Sequence, residues 1–299
     1  MQVNMTGSND TTSSRASRVV LFDTPRTTSN LFYKLWQSHP QVAWGCFYHG
    51  FNGYQFFGPD GMLPKLHHSD AVAKELEERW MKPYREDEEA NAAYPPDLER
   101  AQKKFVDGIE SSDKDGKMFF GKEHIIFVIK QDLLLEMLRR EDRHTVFVNL
   151  TENPTYIPDH LVNTLTPLFL IRHPQHIVNS QFRIQRELSG LQPQDEAFEL
   201  MTSLKWTRIL YDYFKQRLNM EPVIVDSADI IANHRAVTDK LCALYGLDPE
   251  GVKDTWDPVP KEHWPKSEIA RTLVGHFLGT SGVERSTKVS APLSITSVV

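Results

Sequence analysis

The sequence predicts an α/β fold: a single domain in which a parallel sheet is flanked by helices on both faces. Apolar runs of four to six residues recur along the chain, each followed by a stretch whose apolar residues have helical spacing. The first unit, SRVVLFDTPRTTSNLFYKLW from Ser17 to Trp36, passes from an apolar run through a polar turn into an amphipathic helix. At 299 residues, 40% hydrophobic and 25% charged, the chain is long enough to bury one large core.

Taken in order, residues 1–16 are polar and rich in Ser and Thr and read as a disordered arm; the domain is expected over 17–285, with 286–299 as a tail. Val19 to Phe22 is the first strand, Asp23 to Thr28 a loop, and Ser29 caps a helix carrying Leu31, Phe32, Leu35 and Trp36. Gln41 to Met62 is aromatic and glycine-rich. Ser69 to Ala93 reads as a charged helix interrupted at Pro83, and Pro96 to Glu110 as another, followed by a solvent loop from Ser111 to Lys117. His124 to Lys130, HIIFVIK, reads as a second strand, with a helix from Gln131 to Arg140 after it. Thr145 to Leu150 is a third strand, followed by a short helix from Asp159 to Leu165. Leu168 to Ile171 is a fourth strand, ending in Arg172 and leading to a helix from Gln175 to Leu188. A long helix is expected from Glu196 to Leu218, a fifth strand from Val223 to Asp226, and a helix from Ala228 to Tyr245 closed by Gly246.

The loop before the first helix concentrates anion-binding groups. Unsatisfied N–H groups and the positive end of the helix dipole attract phosphate or sulfate; Thr27, Thr28, Ser29 and Asn30 add donors, and Arg26 adds a permanent cation. The pattern G-x-x-x-x-G-K-[ST] is absent, so an ATP or GTP pocket has no support. Ligands of parallel sheets sit beyond the carboxyl ends of the strands, where Arg26, Lys130 and Arg172 would meet in one crevice. The net charge of -6 argues against nucleic acid as the partner and makes any phosphate site local. Cys46 and Cys242 belong to no C-x-x-C, so neither a disulfide framework nor a zinc site is indicated, and no apolar run approaches the ~20 residues of a membrane helix. A cytoplasmic protein with no membrane partner and no metal is expected. Trp44, Tyr48, Tyr54 and Phe57 are candidates for an apolar substrate pocket as well as for the core.

The segments TPRTTSNLF, FVIKQD, LFLIRHPQHIVNS, VIVDSADI with LCALYGLDPE, and GTSGV together resemble the fungal branch of the P-loop sulfotransferases, which use 3′-phosphoadenosine 5′-phosphosulfate (PAPS). The resemblance spans about residues 17–285, and its most specific part is Arg172 followed eight residues later by Ser180. It implies that Arg172 and Ser180 grip the 3′-phosphate, that Arg26, Thr27, Thr28, Ser29 and Asn30 form the 5′-phosphosulfate loop, and that Arg26 and Lys130 steady the transferring group. Thr28 stands where the family's loop has Gly, which implies a changed loop geometry. The family's strand-end Lys-x-His, whose His is the catalytic base, is matched to Lys130, Gln131 and Asp132, which makes Asp132 the candidate base. His124, His173, His176, His67 and His68 are reserve candidates. The implied function is PAPS-dependent sulfuryl transfer to a hydroxyl of an apolar small molecule in secondary metabolism, and a homodimer is compatible with it. The missing His and the altered loop favour one alternative, a cyclase or dehydratase on the same fold, and a non-catalytic nucleotide-binding protein is a second.

Overall fold

The computed structural model describes residues 17–43, 50–61, 66, 69–140, 151–188, 191–264, 271–272, 275 and 277–283. The chain divides into two compact units, Met1–Lys253 and Asp254–Val299.

The first unit holds one five-stranded sheet in the order β2-β3-β1-β4-β5, with every neighbouring pair parallel. The strands are β1 (Arg18–Asp23), β2 (Val42–Ala43), β3 (Met118–His124), β4 (Thr166–Ile171) and β5 (Val223–Asp226). Val19, Val20, Leu21 and Phe22 of the central strand are all fully buried, because a parallel strand between two helical layers has no solvent side. On one face Phe22 packs against Phe169 and Phe214, with ring centroids 5.7 and 5.6 Å apart. On the other, Phe32 and Trp36 of α1 (Ser29–Trp36) meet Phe120 of β3 at 6.2 and 6.0 Å. The chain leaves β1 for β2 and β3 on one side and then crosses to β4 and β5 on the other. The strand order therefore reverses next to β1, where parallel sheets open a crevice at their carboxyl ends.

Several expectations shift. The second strand lies upstream of HIIFVIK: β3 is MFFGKEH, and Ile125–Val128 form a single buried helical turn, α2. Ile125, Ile126, Phe127, Val128 and Ile129 are all buried, so this run is apolar because core surrounds it, a case that periodicity alone cannot separate from a strand. The strand proposed over 145–150 lies outside the described residues, as do Trp44, Tyr48, His67 and His68. The helix expected over 196–218 is three pieces, Glu196–Thr202, Lys205–Asp212 and a π-turn at Tyr213–Arg217. In Ser227–Tyr245 the backbone leaves the helical region at Asn233, whose side chain accepts from the N–H of Ala236 at 3.1 Å and so caps the second half. In the charged segment the helix stops at Glu86, beyond Pro83, and Asp87 caps the next one by accepting from the N–H groups of Glu89 and Ala90. The helix Leu98–Lys114 runs past Ser111, with Ser112 fully buried.

The second unit closes on itself through an antiparallel bridge between Thr255 and Gly282. Within it the N–H of Val283 donates to the carbonyl of Asp254 at 3.1 Å, and the indole of Trp264 to the carbonyl of Val259 at 2.8 Å.

Candidate active site

β1 ends on Asp23, and the residues after it form a tight loop into α1. Two residues of this loop have left-handed backbone, Arg26 with φ 74° and Thr28 with φ 69°. The conformation that glycine favours is thus held by a β-branched threonine, at a cost of about 1–2 kcal/mol that the surrounding contacts must offset. Thr28, which stands at the family's Gly, is itself in the left-handed region, and its carbonyl accepts from the N–H groups of Leu31 and Phe32 at 3.0 and 3.3 Å. The hydroxyl of buried Thr27 lies 2.8 Å from Oδ2 of Asp23 and 3.0 Å from the carbonyl of Thr24, and donates to either.

Arg172 directly follows β4, and its Nη1 donates to the carbonyl of Arg26 at 2.8 Å. After β3 come α3 (Gln131–Arg139) and, beyond β4, α4 (Pro174–Leu188); Nε of Arg26 donates to the hydroxyl of Ser180, on the second turn of α4, at 3.0 Å. Two segments far apart in sequence therefore converge, the loop after β1 and the junction of β4 with α4, and Arg183 of α4 adds a third guanidinium. Burial pulls the Arg26 pKa down, and the like charges of Arg183 and Arg172 pull it further. Burial does the same to Arg172. Both remain cations, since an arginine starts so far above neutrality. Among the described residues no carboxylate forms an ion pair with any of the three, so an incoming anion would relieve their repulsion.

The other side of the crevice comes from β3. In the parallel register His124 stands opposite Asp23, and Lys122 precedes it by two residues on the same face of the strand. Asp23 is fully buried. Burial alone would raise its pKa, yet the charges of His124 and Lys122 and hydrogen bonds from His124 and Ser29 bring it below the ordinary value. An ionised carboxylate only accepts hydrogen bonds, so the 2.8 Å contact from its Oδ1 to Nδ1 of His124 fixes the proton on Nδ1 and leaves the lone pair on Nε2. His124 keeps 18% of its side chain exposed. Its pKa is lowered, first by burial and then by Lys122 and Arg26, against the pull of Asp23. On the opposite face of β3, buried Glu123 accepts from the N–H of Phe51 at 3.0 Å, and burial pushes its pKa up to about 8.

Lys130 and Asp132 do not sit at a strand end. Lys130 precedes α3, where Asp132 lies exposed on the first turn. Lys130 lines a separate open cavity of about 450 Å³ with Glu152, Asn153, Asp159 and Tyr213, and none of Asp23, Arg26, His124, Arg172 or Ser180 borders it. A Lys-x-His spelling does stand at a strand end, Lys122-Glu123-His124, with His124 at the carboxyl end of β3 and opposite Asp23. The spelling K-E-H was visible in the sequence, but the glycine and charges of MFFGKEH hide a strand whose polar groups are buried against Asp23 and the N–H of Phe51. His173 and His176 are exposed, with their rings 5.7 Å apart. Tyr54 packs edge-on against Tyr156 at 5.2 Å, and Phe57 stacks on Tyr84 at 3.8 Å.

No family model matches the chain. Sulfotransferase ppzF of Metarhizium majus (strain ARSEF 297) is 30% identical over 284 residues, spanning 85% of this chain and 78% of the relative. Sulfotransferase ppzF of Metarhizium rileyi (strain RCEF 4871) is 29% identical over 280 residues, with the same coverage of 85% and 78%. Among solved structures, the sulfotransferase domain from the curacin biosynthetic pathway matches at 14% identity and a TM-score of 0.42, over 91% of this chain and 89% of its own. The sulfotransferase from Alicyclobacillus acidocaldarius matches at 12% identity and a TM-score of 0.44, over 88% of this chain and 91% of its own. With a sulfotransferase 30% identical across 78% of its length, this chain belongs to the sulfotransferase family, as a protein of fungal type.

Proposed function

We propose that this enzyme transfers a sulfuryl group from PAPS to a hydroxyl of an apolar small molecule, with His124 as the base. The observation that carries the reading is the meeting, at one end of β1, of a cation cluster without carboxylate partners among the described residues and a histidine whose tautomer is fixed by Asp23. The residues fit the nucleotide: Arg172 offers a planar fork suited to a phosphate dianion, Ser180 a hydroxyl, and the loop from Arg26 to Asn30 the N-terminal end of α1. When bound, PAPS supplies the sulfuryl group; sulfur bonds to the acceptor oxygen as its bond to the 5′-phosphate breaks, and the phosphate keeps the electron pair. His124 takes the acceptor's proton on Nε2. Arg26 and buried Lys122 stabilise negative charge that develops at the phosphate.

The cyclase or dehydratase alternative rested on a missing histidine and an altered loop, and a histidine at the end of β3 speaks against the first of these. The test combines calorimetry with 3′-phosphoadenosine 5′-phosphate and transfer of labelled sulfate from PAPS to a panel of phenols and alcohols. Binding with transfer supports the proposal, whereas absence of nucleotide binding overturns it.

A further inference from the structure

We propose that Asp23 is a positioning residue that joins the phosphosulfate loop and the base into one unit, its Oδ1 holding Nδ1 of His124 and its Oδ2 holding the hydroxyl of Thr27. The inference rests on the function proposed above for His124 and deepens it. An aspartate at the end of β1 is an expensive choice for structure alone, because a buried carboxylate must have every charge and lone pair satisfied. Here the compensation comes from both sides of the crevice. Thr27 and Ser29 reach it from the loop and the start of α1, and His124 and Lys122 from β3. One carboxylate thus touches two things at once: the loop in its strained left-handed form, with Arg26 and Thr28 at positive φ, and the imidazole at Nδ1, which sets its tautomer. Those are the two conditions that sulfuryl transfer needs together. The form of the loop and the tautomer of the base share a single pair of oxygens and so cannot be set independently.

The charged groups that act on His124 are Asp23, Lys122 and Arg26, and those that act on Asp23 are His124 and Lys122, with Ser29 and Thr27 as neutral donors. Asp23→Asn keeps the shape and removes the charge. Its amide can turn its NH2 toward Nδ1, which moves the imidazole proton to Nε2 and blocks proton uptake. The experiment is nitrogen-15 NMR of the imidazole side chains, with His124→Gln used to assign the signal, beside sulfate transfer and nucleotide affinity. The expected result is an Nδ1–H tautomer in the unaltered protein, an Nε2–H tautomer in Asp23→Asn, and kcat lower by about a hundredfold or more in that variant. A tautomer unchanged by Asp23→Asn overturns the proposal. Should that variant not fold, Thr27→Val decides: losing one donor makes Asp23 a stronger partner for the imidazolium and raises the midpoint of the His124 titration by about half a unit or more. An unmoved midpoint overturns the coupling. The NMR readout needs no acceptor, so a tautomer that responds as expected in a protein without sulfate transfer would defeat the proposed reaction and leave the positioning role standing.

Discussion

His124 is kept neutral by its surroundings, and that fixes the sign of its pH dependence. A base works only when unprotonated, so activity is present above its pKa in the fold and lost as pH falls through it. Because that pKa lies below the ordinary 6.5, the acid limb of kcat/KM is expected below pH 6.5. A limb at or above 6.5 would contradict the assignment. His124→Ala should lower turnover by about 10²–10⁴-fold at unchanged nucleotide affinity, while Asp132→Asn, altered on the exposed turn of α3, should keep full activity. Arg172→Ala removes a charged donor and should weaken binding of 3′-phosphoadenosine 5′-phosphate by about 1.5–3 kcal/mol in calorimetry. The meeting of Arg26, Arg172 and Ser180 was legible from the sequence because loop and helix-start chemistry is local. The pairing of Asp23 with His124 was not, since it depends on which residue of β3 faces the last residue of β1, and only the register of the folded sheet reveals that.

At the scale of elements, β3 and the segment around Phe51 are tied by Glu123, whose protonated form the fold prefers. With a pKa of about 8 in the fold against an ordinary 4.5, the folded chain binds this proton more tightly than the unfolded one. The stabilisation is therefore full below about pH 4.5 and declines as pH rises through 8. Glu123→Gln keeps an acceptor for the N–H of Phe51 and should flatten the fall in Tm across that window, measured by thermal unfolding at a series of pH values. In the phosphosulfate loop, Thr28→Gly should relieve the left-handed strain and raise stability by up to about 1 kcal/mol, the relief being partly offset by a freer unfolded chain. A loss of stability in that variant would mean that contacts of the threonine side chain outweigh its backbone strain. The strand-loop-helix of β1 and α1, and β4 and β5, were legible because their apolar runs coincide with their pairing. Ile125–Val128 was misread as a strand because a helical turn buried on all sides carries the same apolar run as a central strand. The breaks at Asn233 and around Ser203 follow from capping and tertiary packing, which a long helical period conceals.

For the molecule as a whole, a ligand that binds only the folded state stabilises it by mass action. 3′-Phosphoadenosine 5′-phosphate at a hundred times its Kd should add about 2.7 kcal/mol, seen as a rise in Tm, and Arg172→Ala should cut that gain to about 0.3–1.3 kcal/mol at the same concentration. The placement of β1 at the centre of the sheet has a consequence for how the protein is made. Asp23 precedes its partner His124 by 101 residues, and β4, the other neighbour of β1, comes later still. At ribosomal rates of roughly 5–20 residues per second, the central strand, whose Val19 to Phe22 end up fully buried, emerges about 5–20 s before β3 can pair with it. During synthesis the sheet therefore grows outward from a strand that waits, and the crevice closes only when the chain has passed Arg172. An N-terminal fragment ending before β4 would carry the loop and the base without the guanidinium opposite them, and would expose the edge on which β4 docks.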